Sequence, residues 1–338
     1  MNICIVMLSA IGDTVHVLPI INALKRHDDA NIITWMLEPG PATLVRGHPS
    51  IDRIIDVDPH RGLSAFRSLR GAVRDHKFDL LLDLQVAFKA GLVTAATPAR
   101  TKLGFDRARA RDLNWLFTTR RIPAHPGRQH VQDQYFEFLA ALGVPRDPIV
   151  WNLGPWPTER PWQTQFFSQF DRPVAALSIG ASDPDREWLP DRWAAVSDAL
   201  YADFGLQPVL VGAGTPRDRL AESAIRAAAR HPILSALSSG LRPLVSILDG
   251  SALTISVDTG AVHIAVALDR PVIALMSNAD PRRTGPYGKF QDLVVDAYHD
   301  PGDLSPINWT RRPGRMPLIT VDTVLSRVAH WHRTYRQR

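Results

Sequence analysis

The sequence predicts an α/β fold of two domains, each with a parallel β-sheet covered by helices on both faces. Three observations lead to this prediction. The 338 residues are about twice the length of a typical single domain. Short apolar runs alternate with amphipathic stretches, which is the pattern of βαβ units. Six prolines fall between positions 143 and 173 without a sustained hydrophobic period, and that composition is typical of an interdomain linker.

The composition is that of an ordinary globular protein. Hydrophobic residues make up 45% of the chain and charged residues 22%, which excludes disordered, collagen-like and coiled-coil chains. The single cysteine, Cys4, can form neither an internal disulfide nor a cysteine-based zinc site, so a reducing compartment is expected. The N-terminus lacks the features of a signal peptide, and no uncharged stretch approaches the ~20 residues that cross a bilayer. We therefore expect a soluble, cytoplasmic protein.

Four strands and four helices alternate along the first hundred residues. The apolar run at 2–8 is typical of a parallel strand buried on both faces, and the amphipathic stretch at 63–76 is typical of a covering helix. Pro19 predicts a bend or a restart in the first helix, because proline removes a helical hydrogen bond. The predicted strands are 2–8, 32–36, 51–57 and 79–83, and the predicted helices are 13–25, 42–47, 63–76 and 88–96.

The alternation restarts after the proline-rich stretch. Near the end, residues 321–331 are predicted to form an amphipathic helix capped by Thr320. Two α/β halves without a shared sequence repeat predict two Rossmann-like domains that face each other, with ligands in the cleft at the carboxyl ends of the strands. The predicted strands are 173–179, 207–211, 253–257 and 272–276, and the other predicted helices are 192–201, 216–230, 244–248 and 259–268.

The chain has 39 Lys and Arg against 34 Asp and Glu, which gives a net charge of +5. Basic residues cluster in two segments. Such clusters favour anionic partners, namely phosphate, nucleic acid or an acidic membrane face, although a solvated basic surface has the same pattern. The first cluster comprises Arg100, Lys102, Arg107, Arg109, Arg111, Arg120 and Arg121, and the second comprises Arg327, Arg333, Arg336 and Arg338.

A glycine and an aspartate follow the first predicted strand. Gly12 at a strand-to-helix turn lets a ligand or another backbone approach closely. The loop is not G-x-G-x-x-G, so nicotinamide chemistry is disfavoured. Asp13 then stands at the start of a helix, where aspartate commonly serves as a cap. The alternative function is that of a carboxylate poised to take a proton from a substrate hydroxyl.

A second strand-to-helix passage, in the C-terminal half, has the features of an anion site. Thr259 and Gly260 offer backbone N–H groups at a helix N-terminus, where unpaired donors and the helix dipole favour negative charge. His263, one turn further on, is placed to face the same anion. The alternatives are that Asp258 merely caps this helix and that His263 faces the core.

Two further loops of that half follow predicted strands. Ser182 and its glycine-flanked backbone have the composition of a phosphate cradle, and Arg186 offers a planar fork for the same charge. An ordinary exposed turn is the alternative for this loop. In the next loop, Asp218 is a candidate for holding ribose hydroxyls or for the first turn of a helix.

Taken in order, six motifs resemble glycosyltransferase family 9, the ADP-heptose:lipopolysaccharide heptosyltransferases. The S-V-D-T-G-x-x-H block followed by A-L-D-R-P is the most specific of them. Together the motifs span residues 9–288, and they look most like the heptosyltransferase I subgroup, which adds the first heptose to Kdo. They are S-A-I-G-D-T-V-H-V-L-P from residue 9, D-L-Q-V-A-F-K at 83–89, G-A-S with D-R-E-W at 180–188, V-G-A-G at 211–214, S-V-D-T-G-A-V-H-I-A-V-A-L-D-R-P at 256–271 and A-D-P-R-R-T-G-P-Y-G at 279–288.

The resemblance implies a GT-B fold with two Rossmann-like domains across a central cleft. Residues 1–155 would bind the acceptor, residues 156–315 would bind the nucleotide sugar, and a C-terminal helix within 316–338 would pack back toward the first domain. The implied reaction is an inverting transfer of a heptose from ADP-heptose to the Kdo or inner core of lipopolysaccharide. Helix dipole and cations commonly replace a metal in this fold, so neither a metal nor another cofactor is expected.

The resemblance also assigns roles to individual residues. Asp13 matches the general base of the family. The expected partners are a nucleotide-sugar donor, a lipid-linked acidic saccharide and the anionic cytoplasmic face of the inner membrane, with no nucleic acid because no motif beyond basic charge supports one. The donor-binding residues would be Ser182, Arg186, Asp218, Asp258, Thr259, Gly260 and His263, and the acceptor-binding residues would be Arg61, Gln85, Lys89, Arg109, Arg111 and Arg120.

The chain departs from the family pattern at several positions, which leaves a different donor sugar open. Met7 and Arg186 stand where lysine is frequent, Leu189 is inserted between Trp and Pro, and Ser277-Asn278 replace a Gly-Pro pattern. Three alternatives follow: a family 9 transferase with another donor or acceptor, a sugar-nucleotide epimerase of related fold, and a catalytically silent sugar-nucleotide-binding protein. The presence of Asp13 with the D-T-G-x-x-H block argues against the silent protein.

Overall fold

The computed structural model describes residues 1–336, apart from the side chains at positions 63, 65 and 66. The chain divides into two compact units. The first unit comprises Met1–Gly127 and Val131–Asn152, and the second comprises Arg128–His130 and the chain from Leu153 onward. Arg338 of the predicted basic tail lies outside the described residues. The division after Asn152 falls close to the boundary expected between positions 155 and 156.

The first unit contains a six-stranded parallel sheet with the strand order β3-β2-β1-β4-β5-β6. The central strand β1 pairs with both β2 and β4, so that Cys4 lies opposite Thr34 on one side and Leu81 on the other. All four predicted strands are present. The strands are β1 (Asn2–Val6), β2 (Ile32–Leu37), β3 (Arg53–Asp56), β4 (Phe78–Asp83), β5 (Ala99–Gly104) and β6 (Arg120–Arg121).

Five helices accompany this sheet among the described residues, and four of them were predicted. Helix α1 continues through Pro19, so the restart predicted there does not occur. Pro19 is buried in the packed face of the helix, and tertiary packing outweighs the lost hydrogen bond. The helices are α1 (Ile11–His27), α2 (Pro39–Val45), α3 (Leu63–Val73), α4 (Phe88–Ala96) and α5 (Val131–Leu142).

The second unit repeats this topology. Its strand order β12-β11-β10-β7-β8-β9 is the same 3-2-1-4-5-6 order of a Rossmann sheet, read from the opposite edge. The predicted pair of Rossmann-like domains is thereby confirmed. The strands are β7 (Val174–Ser178), β8 (Gln207–Val211), β9 (Leu234–Ser235), β10 (Leu253–Val257), β11 (Val272–Met276) and β12 (Val295–Asp296).

One helix of the second unit was not predicted, because its segment has the proline-rich composition of a linker. Helix α6 lies inside the stretch predicted to be a linker, where Trp162 stacks on Phe166 at 5.2 Å between ring centroids. Prolines at the ends of this stretch masked a short amphipathic helix between them. The helices are α6 (Arg160–Phe167), α7 (Pro190–Ala202), α8 (Pro216–Ala228), α9 (Leu241–Gly250), α10 (Gly260–Ala267), α11 (Pro281–Thr284) and α12 (Val321–Thr334).

Helix α12 was expected to pack toward the first domain, and its apolar face contributes to the core of its own unit. Val324, Val328 and Trp331 are buried in the hydrophobic core of the second unit. The Thr320 hydroxyl accepts a hydrogen bond from the amide of Thr323, which confirms the predicted cap. Within residues 1–336, no helix has both the length and the apolar character that crossing a bilayer requires.

Candidate active site

The carboxyl ends of β1 and β4 meet in the first unit, and Gln85 joins them. The Gln85 Oε1 atom accepts a hydrogen bond from the amide of Leu8 at 3.0 Å, and its Nε2 atom donates to the Ser9 carbonyl at 3.1 Å. Both ends of this amide therefore hold the loop that leads into α1. Gln85 was predicted to bind the acceptor, and in the structure both polar atoms of its side chain bond to the backbone of this loop.

A lysine and a glutamate lie beside the same loop. The Lys89 Nζ atom donates to Glu38 Oε1 at 2.7 Å and to Ser9 Oγ at 3.2 Å. The Lys89 side chain remains 40% exposed, so its ammonium is still open to an anionic ligand. Met7, where the family often has lysine, is buried. Glu38 was missed in the sequence, although its place directly after β2 marks the same edge of the sheet.

Asp13 makes the capping contact that was considered for it, and a tyrosine holds its second carboxylate oxygen. The N-terminal cap of α1 is Ala10, which has no polar side chain, and Asp13 at the third helical position folds back so that its Oδ2 accepts from the Ala10 amide at 3.2 Å. Its Oδ1 accepts a hydrogen bond from the Tyr135 hydroxyl at 2.9 Å. The half-buried carboxylate is therefore held in one orientation at the edge of the sheet. Tyr135 of α5 was not predicted, because α5 itself was not.

His16 follows Asp13 by nearly one helical turn, and its side chain is buried. Its Nδ1 atom lies 2.8 Å from Gln132 Oε1 of α5, and the ring is 3% exposed. Burial lowers the pKa of His16 to about 4, and the hydrogen bond to Gln132 raises this pKa by less than burial lowers it. His16 is therefore neutral at pH 7, and it is removed from the solvent that a substrate would displace.

His16 is expected to make the free energy of unfolding fall as the pH drops from 7 to 5. Folded His16 stays neutral until the pH approaches its lowered pKa of about 4, whereas unfolded histidine binds a proton below about 6.5. The unfolded state binds more protons in this window, so stability falls by about 2 kcal/mol at pH 5. The measurement is denaturant unfolding of the wild type and of His16→Gln at both pH values.

Asp83 at the end of β4 changes the free energy of unfolding with pH in the opposite direction. Comparing the wild type with His16→Gln removes this contribution. Burial raises the pKa of Asp83 to about 7, so the folded state favours its protonated form and gains stability as the pH falls. Because Asp83 is present in both proteins, its contribution cancels in the difference between their pH slopes. Equal slopes in the wild type and His16→Gln would contradict the assignment to His16.

The predicted acceptor-binding arginines occupy different environments. Arg109 is 11% exposed, and its guanidinium forms ion pairs with Asp106 and with Glu137, the latter at 2.6 Å. Its charge is used within the fold, so the predicted acceptor contact is not supported. The other three are exposed: Arg61 lies in the turn after β3, Arg111 lies in the loop after β5, and Arg120 lies on β6.

Arg186 and Asp258 come together at the carboxyl edge of the second sheet. The Arg186 Nη1 atom lies 3.2 Å from Asp258 Oδ2 and donates to the Asp258 carbonyl at 3.3 Å. Burial raises the pKa of Asp258, and the Arg186 charge opposes that rise. The loop after β7 is thus tied to the end of β10.

The anion-binding interpretation of α10 agrees with the local geometry. Thr259 is the N-terminal cap, and its hydroxyl accepts a hydrogen bond from the amide of Ala261 at 3.3 Å. The alternative in which Asp258 caps this helix is therefore wrong. Gly260 begins the helix, so its amide is among the first-turn donors that have no partner within the helix. His263 is buried on the same helix with 9% of its surface exposed.

Asp218 lies against the glycine loop of the same edge. Its Oδ2 accepts from the Thr215 amide at 2.9 Å while the Thr215 hydroxyl accepts from the Asp218 amide at 3.2 Å, so the two form a reciprocal cap of α8. The first-turn interpretation is thereby confirmed. A Cβ atom at Gly180 would lie 2.1 Å from Asp218 Oδ1, which explains the glycine of the G-A-S motif.

Two side chains that were not predicted hold the loop after β7, for which a phosphate cradle was predicted. Arg217 donates to the carbonyls of Ala181 at 3.0 Å and Ser182 at 3.3 Å, and Ser182 itself is exposed. Asn278, one of the departures from the family pattern, is buried and donates to Asp183 Oδ2 at 3.1 Å. Arg217 and Asn278 both reach this loop from other segments at the same edge of the sheet. Such contacts join residues far apart in the chain, so they could not be predicted from the sequence.

Comparison with known proteins places the chain among heptosyltransferases. The profile of glycosyltransferase family 9 (heptosyltransferase) matches residues 66–302. The chain is 29% identical over 300 residues to the lipopolysaccharide core heptosyltransferase OpsX of Haemophilus influenzae, which covers 88% of this chain and 85% of that protein.

Two solved structures share the whole architecture. A glycosyltransferase family 9 structure from Veillonella parvula superposes with a TM-score of 0.83 at 19% identity, covering 98% of this chain and 97% of that one. The E. coli heptosyltransferase WaaC, solved with ADP-2-deoxy-2-fluoro heptose, superposes with a TM-score of 0.75 at 23% identity and covers 98% of this chain and 99% of its own. These two likenesses concern the fold.

Proposed function

Because this chain belongs to glycosyltransferase family 9, and is thus a transferase with the GT-B fold, we propose that it moves a heptose from ADP-heptose to the Kdo or inner core of lipopolysaccharide. The observation that carries the proposal is that each unit holds polar side chains in fixed positions at the carboxyl edge of its sheet. The first unit orients the carboxylate of Asp13, and the second unit gathers Arg186 and the N-terminus of α10.

The first unit supplies the proton acceptor in this proposal. Asp13 takes the proton of the acceptor hydroxyl while that oxygen attacks the anomeric carbon, and a single displacement inverts the configuration there. A general base must be held within hydrogen-bond reach of the proton that it abstracts. The Ala10 amide and the Tyr135 hydroxyl each occupy one carboxylate oxygen, which keeps the orientation constant before the acceptor arrives.

The second unit stabilises the leaving group. As the bond to the anomeric carbon breaks, negative charge grows on the nucleotide diphosphate, and donors aimed at that charge lower the barrier to reaction. The Arg186 guanidinium and the amides at Thr259 and Gly260 supply such donors. The exposed Ser182 and the ribose-binding candidate Asp218 lie on the same sheet edge, where the rest of the nucleotide sugar would extend.

Activity is expected to survive an excess of EDTA. Arg186 and the N-terminal dipole of α10 provide the positive charge that a metal ion would otherwise supply to a diphosphate. The measurement is the rate of nucleotide release before and after chelation and dialysis. Loss of activity that Mg²⁺ or Mn²⁺ restores would overturn this assignment of leaving-group stabilisation.

We further propose that the acceptor is a lipid-linked acidic saccharide at the cytoplasmic face of the inner membrane. The half-buried Lys89 and the exposed Arg61, Arg111 and Arg120 carry the positive charge that suits carboxylates and phosphates on such a saccharide. The protein would be peripheral, held by anionic lipid, and the single cysteine suits a reducing cytoplasm.

The deciding experiment is a nucleotide-release assay with ADP-heptose and Kdo-bearing lipid A acceptors. We expect release that requires both substrates. Faster turnover with another nucleotide sugar would point to a family 9 transferase of different specificity. Conversion of the donor without an acceptor would indicate an epimerase, and donor binding without any release would indicate a catalytically silent binding protein.

A further inference from the structure

We propose that the first unit docks on an anionic lipid bilayer through one defined surface at the carboxyl edge of its sheet. This proposal rests on the proposed function for the place of the reaction and adds which surface meets the membrane. We call it the basic–apolar surface, and it consists of Phe88, Arg107, Leu113, Trp115, Leu116 and Arg121.

The apolar part of this surface stands in solvent. Leu113 and Leu116 are each 55% exposed, and Phe88 is 45% exposed. Single exposed apolar residues are ordinary, whereas several together mark an interaction site. The three are close, because the Leu116 amide donates to the Leu113 carbonyl at 3.0 Å and Phe88 packs edge-on against Phe117 at 5.7 Å.

The backbone displays this loop in a conformation that is costly to hold. Asp112 and Leu113 both have left-handed backbones, with φ of 51° and 61°, which residues other than glycine rarely adopt. Leu113 stands outside the buried core, with 55% of its surface exposed. The loop thus presents an apolar side chain to solvent, where a polar one would be the ordinary choice.

The basic part surrounds a tryptophan. The guanidinium of Arg107 lies 4.4 Å from the centroid of the Trp115 ring, and that of Arg121 lies 5.4 Å from it. Arg121 also donates to the Trp115 carbonyl at 3.2 Å. In the part of the chain that the structure describes, neither guanidinium pairs with a carboxylate, so both charges remain available for an external anion.

This combination matches the interface of an anionic bilayer. Tryptophan and exposed leucine suit the boundary between headgroups and acyl chains, while arginine keeps its charge at the headgroup level. Anionic headgroups attract nearby basic residues, each of which raises binding about fivefold. A purely polar ligand, such as a free phosphate, would leave the leucines and Phe88 unused.

The basic–apolar surface is tied directly to the loop that leads to Asp13. Asn114, between Leu113 and Trp115, donates to the carbonyl of Gln85 at 3.1 Å, and Gln85 in turn donates to the Ser9 carbonyl at 3.1 Å. Two hydrogen bonds thus connect the surface to the loop. Docking would place the proposed base near the layer in which a lipid-linked acceptor presents its saccharide.

The test is cosedimentation of the full-length protein with vesicles, in the absence of any sugar substrate. We expect binding to vesicles of phosphatidylglycerol and phosphatidylcholine that weakens with salt, and at least tenfold weaker binding to pure phosphatidylcholine. Arg107→Ser/Arg121→Ser should weaken binding about 25-fold, from about fivefold per charge. Leu113→Ser/Leu116→Ser should weaken it at least tenfold, because both leucines leave water on docking.

Matched controls separate this surface from general charge and apolarity. Arg53, exposed on β3 at the opposite edge of the same sheet, and the exposed Leu220 and Leu318 of the second unit provide them. Arg53→Ser and Leu220→Ser/Leu318→Ser should bind vesicles as the wild type does. A loss of about fivefold in Arg53→Ser, which removes one charge, would overturn the proposal. A loss of about tenfold in Leu220→Ser/Leu318→Ser, or wild-type binding that ignores lipid charge, would also overturn it.

A second readout distinguishes docking from acceptor recognition. Leu113→Ser/Leu116→Ser should keep wild-type turnover on a water-soluble acceptor and lose turnover on the same acceptor embedded in anionic vesicles. Loss on the soluble acceptor would show that the leucines bind the saccharide or support the fold, and the docking proposal would fall. Since vesicle binding needs neither donor nor acceptor, a wrong substrate assignment leaves the cosedimentation result unaffected.

Discussion

Asp13→Asn is expected to lower turnover by ~10²–10⁴-fold, the usual loss when a general base is removed, while the fold stays intact. Asparagine retains the local geometry, because its carbonyl oxygen can accept from the Ala10 amide and its NH₂ group can donate to the Tyr135 oxygen. Only the proton acceptor is lost. The measurement is steady-state turnover together with the melting temperature and the affinity for the donor nucleotide.

The control for a general helix-end effect is Asp322→Asn, which removes an exposed carboxylate from the first turn of α12. It should leave turnover unchanged. Tyr135→Phe is a companion variant in which the base remains but loses one of its two observed hydrogen bonds, and we expect about tenfold slower turnover with a shifted pH profile. If Asp13→Asn proved stable and active within a few-fold of the wild type, Asp13 would serve as a capping residue only.

Arg186→Ala is expected to lower turnover by ~10²-fold or more, since one donor directed at a developing charge supplies a few kcal/mol. The variant also leaves Asp258 buried without the cation that lies 3.2 Å from its carboxylate. Arg186→Lys should recover much of the activity, because an ammonium restores the charge although not the fork. The measurement is kcat with a saturating acceptor, together with the donor KM.

Arg230→Ala is the matched control for this prediction. Arg230 pairs with the buried Asp198 at 3.1 Å, so its removal also leaves a carboxylate without its cation, at a position between α8 and β9. We expect both alanine variants to lose stability and only Arg186→Ala to lose turnover. Unchanged kinetics in Arg186→Ala would place Arg186 outside the donor site.

Much of the fold followed from local patterns. Every strand predicted from an apolar run is present, and Gln207–Val211, Leu253–Val257 and Val272–Met276 have the predicted bounds. Several of the missed elements have weak patterns: β5 is largely polar, β6, β9 and β12 have two residues each, and α6 lies among prolines. Helix α5 was missed despite a clearly apolar face. The resemblance to family 9 is confirmed by the profile that matches residues 66–302.

The side-chain environments of the candidate site were less predictable. The sequence placed Arg109 with the acceptor-binding arginines, but Glu137, 28 residues away, uses its charge within the fold. It placed Gln85 on the acceptor, but the backbone of Leu8 and Ser9 occupies its amide. Residue type shows that a side chain can bind an anion or a polar ligand. Whether it is free to do so depends on neighbours that packing brings from elsewhere in the chain.

The two Rossmann-like sheets, the loops at their carboxyl edges and the family can all be read from the amino-acid sequence. These depend on periodicity, turn residues and motifs that act over a few neighbouring positions. Two other features are visible only in the folded chain: Tyr135 holds Asp13 from 122 residues away, and α12 packs in the core of the second unit. Such contacts depend on how helices and sheets pack, and hydrophobic burial drives that packing without regard to separation along the chain.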